Sequence, residues 1–358
     1  MTKTTTSVEF TREEVGLAVR NHGMHLEGMR HPVTPAGMHY LLIHFDIPFL
    51  EGATYELPIT GRLRDPLKLT LKDVKDRPAV TIPVMMECSG IGRAHLSPRP
   101  ISMPWQEEAV GCAEWTGTPL RPILEEAGLL DDAVELLFTG HDRGIDQGVE
   151  HDFERSLPLE DALRDEVLLA YEMNGQPLPP QHGFPLRLVV PDWYGMASVK
   201  WLKEIKAINE PFKGVQQAVA YRYRRSEEDP TGTPVTRKYP HALMVPPGIP
   251  EFLSRTRHLR AGQTLIEGRA WSGFGRVERV EFSSDSGHTW SDAELGEPTG
   301  RYAWSPWSYG WDAEAGEYEL CVRATDTAGN RQALDTDEAW NTGGYGVNVV
   351  QRVPVSVV

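Results

Sequence analysis

Five residues carry chemistry beyond packing: Cys88, Arg93, His182, Arg187 and Lys200. Cys88 stands in Glu-Cys-Ser-Gly-Ile-Gly-Arg at 87–93, directly after the apolar run Val80 to Met86. A cysteine in that setting is either a buried structural thiol or a reactive one that serves as nucleophile or soft metal ligand. Arg93 tilts the choice to the second, because a guanidinium in a glycine-containing loop can hold a thiolate ionised and bind an anion beside it. Cys112 and Cys321 have no such neighbour and read as packing residues. With three cysteines and no CxxC pair, neither a disulfide framework nor a zinc site is indicated. His182 by itself is as well explained by a loop position as by a ligand role. Together with Arg187 and Lys200, however, it forms a cationic cluster around two strands in an acidic protein, which suits a buried phosphate.

These residues need a framework. Val80–Met86 is bounded by turn formers and predicts a strand that delivers Cys88 to a loop, a usual place for chemistry. Thr70 with Asp73 predicts the capped start of a short helix stopped by Pro78. Pro119 to Gly128 predicts a second helix, with Leu120, Ile123, Leu124 and Ala127 on one face, and Ser156 to Arg164 a third with Ser156 as its cap. Val167–Tyr171 runs into Asn174-Gly175, a hairpin signal, and Leu186–Val190 is another buried strand. After Tyr223 the pattern changes. A polar linker at 226–232 is followed by period-2 alternation, as in Tyr318, Leu320, Val322 and Ala324. We therefore expect an α+β chain: a mixed domain over residues 1–228 and an immunoglobulin-like β-sandwich over 229–358. Trp271, Trp290, Trp304, Trp307 and Trp311 are expected in the sandwich core and in dimer contacts.

At 358 residues two domains are the natural expectation. The chain has 36 Lys plus Arg against 51 Asp plus Glu, a net charge of −15, which disfavours nucleic acid and anionic membranes as partners. No run approaches the ~20 apolar residues of a membrane span, and the first thirty residues hold no apolar signal core, so the cytoplasm is the expected location.

Three segments, 87–93, 156–163 and above all Leu-Leu-Ala-Tyr-Glu-Met-Asn-Gly-Gln-Pro-Leu-Pro-Pro-Gln-His-Gly-Phe-Pro-Leu-Arg at 168–187, resemble the sulfite oxidase family. Val-Lys-Trp-Leu at 199–202 fits too, and Arg-Ala-Trp-Ser-Gly-Phe-Gly-Arg-Val at 269–277 with Asp-Ser-Gly-His-Thr-Trp at 285–290 resembles that family's dimerisation domain. The resemblance implies a homodimer with a molybdenum cofactor, a pyranopterin whose metal is also held by a cysteine, here Cys88. It further implies that His182, Arg187, Ser198 and Lys200 bind the pterin and its phosphate. Arg93 matches a substrate-side arginine, Tyr221 an active-site tyrosine and Trp105 a pocket tryptophan. Taken alone, Tyr221 and Trp105 would read as packing residues. The implied reaction is oxygen-atom transfer on a small inorganic or sulfur-containing substrate, with electrons leaving to an external acceptor. No haem-attachment or flavin motif is found, so neither group is expected.

The pattern breaks at three places. Where the family has Arg-Asn-His-x-Pro, this chain has His44-Phe45-Asp46-Ile47-Pro48; Ile91 replaces an asparagine; and Gly343 stands where a substrate arginine is expected. Either sulfite is a poor substrate or His44 is cationic, and Asp46 is expected to bond His44 or the pterin. Two readings from other classes remain at this stage: a non-catalytic cofactor-binding dimer, and a sandwich protein that binds carbohydrate or protein.

Overall fold

A computed structural model describes residues 10–226 and 228–358; Met1 to Glu9 of the amino terminus and Glu227 of the polar linker lie outside the described residues. The N-terminal two-thirds holds two sheets. In the first, β1 (Glu56–Gly61) lies between β2 (Leu67–Thr70) and β10 (Leu202–Ile208), and β10 pairs in turn with the long hairpin β5 (Glu135–Asp146) and β6 (Val149–Pro158). The β1–β10 pair is parallel and the rest antiparallel. The second sheet is antiparallel: β3 (Val80–Glu87), β4 (Val110–Pro119), β7 (Leu168–Met173) and β8 (Gln176–Pro177), with β9 (Arg187–Val189) also on β7. Ile59, Phe138, Leu157, Leu169 and Leu188 join the two sheets in one core.

Local signals explain most elements. Among the described residues the α-helices of this region are α1 (Arg12–Ala18), α2 (Leu71–Lys75), α3 (Leu120–Ala127) and α4 (Leu159–Ala162). Thr70 and Asp73 form a reciprocal capping box on α2, and α3 buries the four expected residues before Gly128 ends it at φ +68. The third expected helix is corrected. Ser156 is not a cap but a buried residue of β6, whose ladder with β5 continues to Pro158 and leaves α4 only four residues. The helix α1, capped by Thr11 and Glu14, was not anticipated.

The C-terminal third is a two-sheet β-sandwich. One sheet is built on Gly262–Trp271 and Ser305–Ala313, the other on Gly316–Asp326 and Gln351–Val357, and Ile266, Val280, Phe282, Trp307 and Leu320 fill the space between. Trp307 and Trp311 lie in that core as expected, whereas Trp271 and Trp304 do not. Those two pack at the seam with the first region, in the same cluster as Met85, Cys88 and Trp105. Trp290 is half-buried and stacks on Arg323, 4.1 Å from its guanidinium carbon. At the seam the Trp271 indole N–H donates to the buried Glu87 carboxylate, and Lys238 Nζ donates to Met85 O at 3.0 Å. Among the described residues no helix is long and apolar enough to cross a membrane.

Candidate active site

The apolar half of β3 carries the chain to Cys88, and the loop after it turns on glycine. The Gly90 N–H donates to Cys88 Sγ at 3.4 Å, and Gly92 adopts φ +72. The thiol stands at a cleft that is also lined by His39, His44, Asp142, His182, Lys200 and Tyr221. Burial pushes the Cys88 pKa up, and the Gly90 N–H, Arg93 and Trp105 oppose this without reversing it. The expectation that Arg93 holds the thiolate ionised is therefore corrected: Arg93 lowers the pKa, but desolvation outweighs it.

One side of the cleft is cationic. Arg187 is buried, donates from Nη1 to His182 O and from Nη2 to Ser198 O, both at 3.0 Å, and lies 4.6 Å from the Trp115 ring. Lys200 Nζ donates to Leu42 O at 2.8 Å and Gln181 O at 3.2 Å. These partners are carbonyls, so both charges lack a bonded carboxylate. Burial lowers the Lys200 pKa to about 7, with Arg187 adding to the effect and Asp142 opposing it. Ser198 Oγ accepts from Val190 N–H at 3.0 Å, which fixes the loop between the two cations. His182 is held neutral, its pKa pushed down to about 2 by burial and then by His39, Arg187 and Lys200.

The other side is uncharged. His44 Nε2 and Tyr221 Oη share a hydrogen bond of 2.7 Å, and the imidazole lies against Phe153 with ring centres 4.8 Å apart. Burial, then Lys200 and Arg93, lower the His44 pKa to about 3, which works against a cationic His44. Burial raises Tyr221 far above its usual range, and its backbone sits at φ +52, a strained conformation for an aromatic residue and one found at functional sites. Behind it, buried Arg155 donates to Gln216 O and lies 5.3 Å from the Tyr221 ring.

Not every expected residue is brought in. Asp46 points away: its side chain is 94% exposed and pairs with Arg20 at 3.3 Å, so it bonds neither His44 nor the cleft. Trp105 does not line the cleft, but its side chain packs against Cys88 in the same cluster. Arg93 lies beside that loop, buried and bonded internally. His39, Asp142, Arg155 and Tyr345 were missed. Arg155 stands among Glu150, His151, Asp152 and Glu154 in β6, so no local pattern marked it as buried.

A model described as the oxidoreductase molybdopterin binding domain matches residues 44–216, and one described as the Mo-co oxidoreductase dimerisation domain matches residues 243–358. The sulfite oxidase of Gallus gallus is 34% identical over 343 residues, covering 87% of this chain and 70% of that protein. The chain belongs to the sulfite oxidase family. A nitrate reductase [NADH] of Ulva prolifera is 29% identical, covering 90% of this chain and 40% of that one. The solved sulfane dehydrogenase SoxCD from Paracoccus pantotrophus superimposes with a TM-score of 0.79 at 25% identity, over 92% of this chain and 82% of that one. The chain spans 59–62% of the length of the mitochondrial sulfite oxidases of fly and mouse that it also matches.

The cleft fits a molybdenum–pyranopterin group. Two cations with no bonded carboxylate among the described residues suit an anionic phosphate, and Asp142 Oδ1, buried without a partner, suits N–H donors. No group of three or more His, Cys, Asp or Glu able to hold a metal occurs among the described residues.

Proposed function

We propose that this sulfite oxidase relative oxidises a sulfur substrate of low charge and passes the electrons to an external acceptor, acting as a homodimer through its sandwich domain. In this reading Cys88 ligates the molybdenum, while Arg187, Lys200, Ser198 and His182 hold the pterin and its phosphate. The bound metal supplies a two-electron centre that exchanges an oxygen atom with the substrate.

The observation that carries the substrate class is the uncharged His44–Tyr221 pair beside Cys88. A dianion entering that side meets a neutral imidazole and a phenol where a guanidinium would contribute ~1.5–3 kcal/mol per charge-assisted hydrogen bond. The pair orients the substrate through His44 Nε2 and Tyr221 Oη. That a solved relative is a sulfane dehydrogenase supports a sulfur substrate.

The test is metal analysis and steady-state kinetics on protein produced with molybdate. Wild type should hold about one molybdenum per chain, and Cys88→Ser should lose it with the fold retained. An uncharged organic sulfide should give a higher kcat/KM than sulfite; the reverse order would overturn the low-charge reading.

A further inference from the structure

Arg93 lies beside the Cys88 loop, and both of its terminal nitrogens donate within the protein, while its Nε is buried without a hydrogen-bond partner. Nη1 donates to Ser102 Oγ at 3.2 Å and to Met103 O at 3.1 Å, and Nη2 donates to Gly343 O at 3.2 Å. The ring of Tyr345 lies 5.4 Å from the Arg93 guanidinium carbon, and Arg93 is only 5% exposed. We infer that Tyr345 is a specificity-determining residue: with the Gly343 carbonyl it caps Arg93 and withholds that charge from anionic substrates. The inference rests on the low-charge reading above and names the device that produces it.

The cap is built rather than incidental. Tyr345 comes from the far end of the chain, in the loop 341–346, and Asn341 braces it: Oδ1 accepts from Tyr345 N–H at 3.0 Å and Nδ2 donates to Tyr345 O at 2.7 Å. The next residue stitches the loop to the cysteine loop, since Gly346 N–H donates to Ser89 O at 2.6 Å. The fit is close at Gly344, at φ +59, where a Cβ would come 2.9 Å from Arg93 Cγ. The ring of Tyr345 also lies 5.1 Å from that of Tyr221, so a single side chain covers the guanidinium and buttresses the catalytic phenol. An aromatic face satisfies a guanidinium electrostatically and shields it from solvent. An anion reaches Arg93 only by displacing that ring or the Gly343 carbonyl.

Tyr345→Leu removes the ring but keeps apolar volume. The probe is sulfate, an unreactive dianion, titrated calorimetrically into molybdenum-loaded protein, with sulfite and uncharged-sulfide kinetics alongside. Sulfate should bind the variant roughly ten- to a hundred-fold more tightly than wild type, the gain expected when one charge-assisted bond is freed. The gain should vanish in the Tyr345→Leu/Arg93→Met double variant, and Tyr345→Phe, which keeps the ring, should bind sulfate as weakly as wild type. Equal sulfate affinity in wild type and Tyr345→Leu, or a gain that survives loss of Arg93, overturns the inference. Should Tyr345→Leu fail to fold, tight sulfate binding by Tyr345→Phe would overturn it equally. The two readings separate cleanly. Tighter sulfate binding without turnover of either sulfur compound leaves the cap standing and removes the proposed reaction; sulfide turnover with unchanged sulfate affinity does the opposite.

Discussion

Replacing His44 with arginine puts a permanent charge where the protein holds a neutral ring. Burial, Lys200 and Arg93 keep the His44 pKa at about 3 instead of 6.5. That difference corresponds to about 5 kcal/mol against a cation at this place. An arginine side chain is longer and can extend its head toward water, which recovers part of the cost, so we expect a loss of about 2–4 kcal/mol. The variant also breaks the 2.7 Å bond to Tyr221. The cost is electrostatic, and an anion bound beside the new guanidinium should return it: a ligand at a hundred times its Kd stabilises by about 2.7 kcal/mol. Thermal unfolding of His44→Arg and wild type in chloride, with and without sulfate, measures both effects. The variant should melt roughly 5–10 °C lower in chloride and recover much of this in sulfate, while wild type barely responds. A variant as stable as wild type in chloride, or one indifferent to sulfate, would refute the claim that the surrounding charge and burial keep this position neutral.

Three further outcomes follow from the same geometry. His39, His44 and His182 have native pKa values lowered by burial to about 4, 3 and 2. The unfolded chain therefore takes up protons below pH 6.5 that the native state refuses, and stability falls as pH falls, by up to about 1.4 kcal/mol per pH unit for each histidine. Urea unfolding of the metal-free protein between pH 7 and pH 5 measures that slope, and His182→Gln should remove about one histidine's share; an unaltered slope would show that His182 is not held neutral. Gly195→Ala places a Cβ 2.2 Å from Tyr40 Oη, which drives the tyrosine into the cleft both residues line. Molybdenum content per chain should drop well below that of wild type, and full retention would contradict the close approach. Trp271→Phe removes the indole donor from the fully buried Glu87 carboxylate and should cost about 1.5–3 kcal/mol in chemical denaturation, whereas an unchanged midpoint would mean that the seam bond contributes nothing.

Where the sequence alone was legible, a local signal and a tertiary requirement coincided. The strand ending at Cys88 could be read because its apolar run and the glycine turn after it are contiguous, and α3 because Gly128 must adopt a positive φ where the helix stops. Ser156 misled for the opposite reason. Ser-Leu-Pro-Leu-Glu-Asp looks like a cap followed by acids, yet pairing with β5 and burial of Leu157 outweigh the capping preference. The tryptophans were read by composition, but an indole also carries an N–H that must be satisfied, and Glu87 draws Trp271 out of the sandwich core to the seam.

The same distinction divides the active site. Its cofactor side comes largely from one stretch, 182–200, where His182, Arg187, Ser198 and Lys200 are brought together by β9 and the turn after it. Spacing along the chain can reveal such a cluster. The substrate side is assembled from His44, the Cys88 loop, Tyr221 and the loop at 341–346, and no periodicity relates these segments. Its decisive contact, Tyr345 over Arg93, joins residues about 250 positions apart and arises only because the sandwich docks against the first region. On the inferred role of Tyr345, substrate selection would be coupled to the seam between the two regions. A substitution that loosens the seam at Trp271 should relax the Tyr345 cap as well, and so raise sulfate affinity without touching Cys88, Arg93 or His44. Sulfate titration of Trp271→Phe tests this: an affinity equal to that of wild type would show that the loop at 341–346 holds its place independently of the seam.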